Sequence, residues 1–180
     1  MIDLTLHPLD SSRREDFLAV MNKGSEESSR CLCTAYHGAS LESPGAPAAC
    51  REALLKGGPV DGWLFYVGGV PSGWCQCAPW ESFAVFSKRP PPEPGAWAIT
   101  CLVIVPELRG RGFAHELFRR VLDEVHRKGA PAVVASAHRL GPGYSSPLPE
   151  LPESVCISAG MTLLKDDPEC PLYILRFVRG

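Results

Sequence analysis

Residues Val103 to Leu117, VIVPELRGRGFAHEL, place an apolar run that stops at Pro106, a basic glycine-rich turn and an amphipathic helix in direct succession. That order predicts a buried central strand feeding straight into a helix, the core of an α/β domain. Gly110 and Gly112 lack a Cβ, so the backbone there can turn tightly and approach a ligand closely. The first-turn N–H groups of the new helix face outward, and its dipole favours anions. Arg109 and Arg111 add fixed positive charge beside the turn. The expected ligand is therefore a phosphorylated cofactor or substrate. No Gly-Lys-Ser/Thr follows, which argues against a Walker A loop. Arg109 stands where a dinucleotide fingerprint needs its first glycine.

The chain has 180 residues, 45% of them hydrophobic, enough for one well-packed core and a single domain over 1–180. Eighteen Lys and Arg oppose twenty Asp and Glu, for a net charge of −2, so no overall basic field invites nucleic acid or an anionic membrane. The opening residues MIDLTLHPLDSSRRED carry acids where a signal peptide needs a basic region, and no apolar run reaches membrane-spanning length. A cytoplasmic protein, monomer or homodimer, is expected.

Eight cysteines, at 31, 33, 50, 75, 77, 101, 156 and 170, should be thiols in a reducing compartment. Cys31 and Cys33, Cys75 and Cys77, with His37, would suit zinc if the two segments met. Yet structural zinc sites usually show two-to-four-residue gaps, and Cys75 and Cys77 alternate along a predicted strand where small thiols pack well. No metal site is expected.

Along the chain, residues 2–6 read as a strand, and Ser11 or Ser12 can cap a helix through Lys23, which Gly24 ends. CLCTAYHG is either helical or irregular, and a short helix is predicted around Ala48 to Lys56. Trp63–Val67 and Trp74–Ala78 form a near-hairpin with a loose Gly-rich connection, and SKRPPPEPG is a loop. Trp97–Val105 is a central strand, followed by a helix from Gly112 to Lys128 with an apolar stripe at Phe113, Leu117, Phe118, Val121, Leu122 and Val125. A strand at Ala132–Ala137, the loop RLGPGYSSPLPELP, a helix at Glu153–Ala159 and strands near Met161–Leu164 and Leu172–Phe177 complete the chain.

Arg109, Gly112 and Ala114 fit the Arg/Gln-x-x-Gly-x-Gly/Ala pattern of the GCN5-related N-acetyltransferases, after a strand and Ile104-Val105-Pro106. The chain resembles that family over nearly its whole length, and CLC, GWCQC and WAITC resemble a bacterial subgroup of it. The resemblance implies the family's α/β (α+β) fold, a mixed central sheet flanked by helices, with residues 38–60 as a variable insertion on the acceptor side. It implies acetyl-coenzyme A as cofactor, in a wedge where the central strand splays from its neighbour. Backbone groups of Leu102, Val103 and Ile104 would hold the pantetheine arm. Arg109, Gly110, Arg111, Gly112, Phe113 and Ala114 would hold the pyrophosphate, chiefly through N–H groups.

The catalytic positions depart from the family pattern. Thr100 or Cys101 stands where many members carry a carboxylate base, and CISAGM puts Cys156 where YxxxGF puts an acidic Tyr. Tyr144, on its loop, is another candidate to reach the thiol. Among the histidines, His138 follows the strand at the wedge side and is the preferred base or acceptor-binding residue. His115 and His126 should face solvent, and His7 and His37 complete the set of five. Trp74, Trp80, Phe83 and Phe86 line a pocket or the core. The expected activity is acetyl transfer to the amine of a small molecule. The alternative is a catalytically degenerate coenzyme A-binding, or thiol- or metal-sensing, protein of the same fold.

Overall fold

The computed structural model describes residues 3–40, 42–57, 62–86, 89–139 and 151–178. Its strands are β1 (Leu4–Pro8), β2 (Gly62–Val67), β3 (Val70–Pro79), β4 (Trp97–Ile104), β5 (Ala132–Ser136), β6 (Thr162–Lys165) and β7 (Leu172–Arg176). They form one seven-stranded sheet in the order β1-β2-β3-β4-β5-β7-β6. Every neighbouring pair is antiparallel except β4 with β5, which run parallel at the centre. The helices are α1 (Arg14–Gly24), α2 (Glu26–Cys31), α3 (Ala46–Gly57), α4 (Phe113–Arg127) and α5 (Glu153–Ser158).

The sheet is covered on both faces. α4 buries Leu117, Phe118, Val121, Leu122 and Val125 against Phe65, Cys75, Cys77, Ile99, Leu102 and Ile104, and α5 adds Val155 and Cys156 to the same layer. Each such large apolar side chain contributes about 1.5–3 kcal/mol on leaving water. On the opposite face, Phe17, Val20 and Met21 of α1 pack with Leu64, Trp74, Cys101 and Val103. Farther along that face, Trp80 and Phe83 pack with Ala98 and Val134. None of the helices among the described residues is long and apolar enough to cross a membrane.

Two local expectations are corrected. Asp10, not Ser11 or Ser12, is the cap ahead of α1: its carboxylate accepts from Ser12 N–H and opens a short 3-10 turn at Ser11–Arg13. The β2–β3 connection is tight, because Gly68 (φ 58°) and Gly69 (φ 77°) both take the left-handed conformation of a two-residue hairpin turn. β3 therefore begins at Val70, ahead of the predicted Trp74.

Candidate active site

The central strands part company after a few residues. β4 pairs with β5 only at Trp97, Ala98 and Ile99, opposite Val133, Val134 and Ala135. At that point its register with β3 jumps, from Cys77 opposite Ile99 to Gln76 opposite Cys101, leaving Thr100 as an extra residue. A bulge of this kind bends the strand and increases its twist, carrying the second half of β4 away from β5. β5 meanwhile continues with other partners: Ala137 N–H donates to Pro171 O, and His138 N–H donates to Leu151 O at 2.9 Å. Among the described residues no strand pairs with the β5-facing edge of β4 beyond Ile99.

Strand geometry decides which backbone groups that edge offers. Val105 N–H donates across to Ser72 O on the β3 side. Alternation turns the backbone groups of Val103 the same way and those of Leu102 and Ile104 toward the open edge. Leu102 and the N–H of Ile104 thus present hydrogen-bonding groups to the wedge, Ile104 O being taken by Arg109. Val103 does not, which corrects its expected role: its backbone faces β3 and its side chain packs beneath α1.

The wedge leads into the glycine-rich turn. Pro106–Leu108 form a 3-10 turn, Gly110 (φ 71°) and Gly112 (φ 82°) are left-handed, and α4 starts at Phe113. A Cβ at either glycine would enter open space, so the turn presents bare backbone outward beside the first-turn N–H groups of α4. Arg111 is exposed there. Arg109 points elsewhere: its guanidinium donates to Ile104 O at 2.9 Å and to Gly24 O at 2.5 Å. Its charge braces the turn against the α1–α2 elbow. Gly24 permits that approach, since a Cβ would sit 2.6 Å from Val103 Cγ1. Phe113 leans on Phe65, with ring centroids 6.2 Å apart, and anchors the start of α4.

The other face of the wedge is built by the segment after α2. Leu32 (φ 45°) and Cys33 (φ 54°) are both left-handed without being glycine, a strained pair that the surroundings hold in place. Buried Arg51 of α3 donates to Leu32 O from Nε at 3.1 Å and Nη2 at 2.6 Å, with its guanidinium 4.9 Å from the Phe17 ring centroid. Trp74 Nε1 donates to Cys33 Sγ, and Gln76 Nε2 donates to Cys33 O at 2.6 Å. This reversal sends Ala35–His37 across the sheet toward the bulge. Thr100 Oγ1 donates to Gln76 Oε1 at 2.7 Å, and Gln76 Nε2 lies 3.2 Å from His37 Nε2. Because Cys33 O fixes Nε2 of Gln76 as the donor end, His37 Nε2 stands as its acceptor, in a ring tilted over Phe83. Tyr36 goes further, its ring 6.3 Å from that of Phe83 and 5.9 Å from that of Phe86, on the face that also carries Ala132 and Val134 of β5.

The predicted catalytic residues are dispersed. His138 follows Ser136 by two positions, so it shares that face of the strand. It is buried, with Nδ1 3.6 Å from Cys170 Sγ. Cys156 is fully buried on the opposite, α4-covered face, where burial and nearby Glu153 push its thiol up to about 12. Tyr144 lies outside the described residues. His115 and His126 are exposed, and His7 stands edge-on to Tyr66 on the far edge of the sheet. Trp74, Trp80 and Phe83 are core residues. Cys33 and the Cys75/Cys77 pair belong to clusters on opposite faces, so the two segments do not converge on one site. Among the described residues no group of three or more His, Cys, Asp or Glu side chains is arranged to hold a metal ion. Sequence reasoning missed Gln76, which links Thr100 to Cys33 O.

A splayed parallel pair opening onto a glycine-rich turn is the arrangement whose sequence profile, the acetyltransferase (GNAT) family, matches residues 30–140. The chain belongs to the GNAT acetyltransferase family. No curated protein sequence matches it. Solved structures of the same fold include an acetyltransferase from Thermus thermophilus, 17% identical, covering 97% of each chain with a TM-score of 0.60. The PaiA N-acetyltransferase of Thermoplasma acidophilum, in complex with coenzyme A, is 12% identical over 97% of this chain and 99% of its own, with a TM-score of 0.58. A GNAT acetyltransferase from Brucella melitensis, in complex with acetyl-CoA, is 15% identical over 98% and 90%, with a TM-score of 0.55. At these identities the likeness establishes the GNAT fold.

Proposed function

We propose that this GNAT protein transfers an acetyl group from acetyl-coenzyme A to the amine of a small molecule. The observation that carries the reading is the continuity of the wedge, the open β4 edge and the glycine turn on one path across the molecule. Its parts fit the cofactor in kind. Leu102 and the N–H of Ile104 offer amide partners for a pantetheine arm, while Gly110, Arg111, Gly112, Phe113 and Ala114 offer N–H groups, a helix dipole and one exposed cation for a pyrophosphate. When bound, acetyl-coenzyme A supplies a thioester carbonyl open to attack by an amine. The residues of the opposite face then receive the acceptor. His138, on the end of β5, takes the proton that an ammonium must lose before its nitrogen can attack. Thr100, whose own proton is committed to Gln76, presents oxygen lone pairs that can accept from an amine.

The test is calorimetric titration with coenzyme A of the wild type and of Gly112→Trp. The wild type should bind. The variant should stay folded, since the substituted side chain projects into open space, but lose affinity at least tenfold, because bulk and left-handed strain fall where the pyrophosphate would lie. Equal affinity in a folded variant would show that the turn is not the cradle. Binding without turnover on a broad amine panel would favour a binding-only protein.

A further inference from the structure

We propose that Cys170 and His138 form a nucleophilic pair that exchanges with small disulfides, and that S-thiolation of Cys170 switches acetyl transfer off. The sheet builds the pair. β5 and β7 keep one antiparallel register past Ser136, which stands opposite Leu172: Ala137 N–H donates to Pro171 O at 3.0 Å and Arg139 N–H to Glu169 O at 3.1 Å. His138 and Cys170 are therefore opposite one another at a non-hydrogen-bonded site, where side chains of an antiparallel pair come closest. Cys170 Sγ lies 3.6 Å from His138 Nδ1, within reach of a hydrogen bond to sulfur. Each partner has a fixed backbone. His138 N–H donates to Leu151 O, and His138 O accepts from Glu153 N–H. Asp167 Oδ1 accepts from the N–H groups of Glu169 and Cys170 at 3.1 and 2.9 Å, and Arg139 donates to Asp166 Oδ1 and to Asp167 O. The turn that carries the thiol is thus tied to the strand that carries the imidazole.

Exposure separates this thiol from most of the others. Cys31, Cys33, Cys75, Cys77, Cys101 and Cys156 are buried, whereas Cys170 and Cys50 are partly exposed. An accessible thiol with a base held against it is the arrangement of an activated nucleophile. Disulfide exchange is limited by loss of the attacking thiol's proton and by the basicity of the departing sulfur, and one imidazole serves both steps. The Cys170 proton passes to His138 Nδ1, and Cys170 Sγ bonds to one sulfur of the small disulfide. The S–S bond breaks with its electron pair on the other sulfur, which takes the proton from Nδ1. Cys170 is oxidised to a mixed disulfide as the departing sulfur is reduced to a thiol. An excess of small thiol reverses the exchange. The adduct removes the S–H from beside Nδ1 and adds bulk at His138. Because His138 is the base of the acetyl-transfer reading above, the switch rests on that reading, and the exchange does not.

The test treats the whole protein with hydroxyethyl disulfide, a small neutral probe, and follows the adducts by mass spectrometry. Cys170 should be thiolated roughly tenfold or more faster than Cys50, and His138→Gln should slow its thiolation by roughly tenfold or more, as for a lost proton acceptor. With an amine found by screening for thiol release, the thiolated wild type should form acetylated product roughly tenfold or more slowly, and recover once dithiothreitol has been applied and removed. Cys170→Ser, given the same treatment, should keep its own rate. Equal thiolation of Cys170 and Cys50, an undiminished thiolation rate in His138→Gln, or a thiolated protein that transfers acetyl as before would overturn the proposal. Should His138→Gln fail to fold, the comparison of Cys170 with Cys50 in the wild type still decides the pair. Failure of the wild type to bind coenzyme A in calorimetry would instead remove the acetyl-coenzyme A reading and the switch with it, while the thiolation rates, measured without coenzyme A, still decide the pair.

Discussion

His138 and Cys156 show how placement, more than residue type, assigns a role. Both are buried, but His138 lies on the same face of the strand as Ser136, whereas Cys156 belongs to the core cluster that α4 covers on the opposite face. A thiol held at about 12 is neither a thiolate nor a ready proton donor at neutral pH. His138→Ala should therefore lower kcat/KM by roughly tenfold to a thousandfold and remove the ascending limb of the pH profile, as expected for a lost general base. Cys156→Ala should cost stability through its cavity and leave the limb in place. Rate against pH for both variants decides the matter, and a limb that survives in His138→Ala would transfer the base role elsewhere. Arg109 carries a similar lesson. The family motif draws attention to its charge, yet the guanidinium holds two carbonyls and braces the turn.

At the level of elements, the path from α2 to the wedge depends on the Leu32–Cys33 reversal, and the reversal depends on Arg51. Its two donors on Leu32 O tie α3 to the end of α2, and its contacts with the Phe17 and Trp74 rings tie it to α1 and β3. Arg51→Ala leaves a buried carbonyl without these donors and an aromatic pair without its cover, so unfolding in urea should show a loss of about 2–4 kcal/mol. Arg51→Lys should recover only part of it, because an ammonium cannot reproduce the planar two-donor grip. A midpoint unchanged in Arg51→Ala would mean that the reversal holds itself. The same segment marks the limit of what the sequence discloses. α4 was legible because its stripe repeats with the helical period over four turns, and β4 because it is apolar except for Thr100. The reversal has no period and no glycine, and its conformation is imposed by Arg51, Trp74 and Gln76 from other elements. The misreading of Val103 is of another kind, since strand alternation was visible but the side on which β3 would pair was not.

For the whole molecule, the unusual quantity is the number of thiols sealed into both faces of one sheet. Cys33, Cys75, Cys77 and Cys101 are buried, and desolvation is the leading cause that raises each above its ordinary value. The folded protein keeps these thiols protonated, whereas in the unfolded chain they ionise from about pH 8.5 upward. Above that pH the unfolded state binds fewer protons than the folded one, so stability present at neutral pH is lost as pH rises. Each thiol that ionises only on unfolding steepens the decline by about 1.4 kcal/mol per pH unit. The urea midpoint should thus be nearly flat from about pH 6 to 8 and fall with increasing slope from about pH 9. Cys77→Ala offers the control: Cys77 lies in the α4-covered core, and burial alone raises its thiol. The variant should start from a lower midpoint at neutral pH, because a cavity replaces the sulfur, but decline less steeply in base because one ionisation has been removed. Parallel curves for wild type and Cys77→Ala would mean that the alkaline loss comes from other groups, and that the buried thiols serve only as small apolar filling.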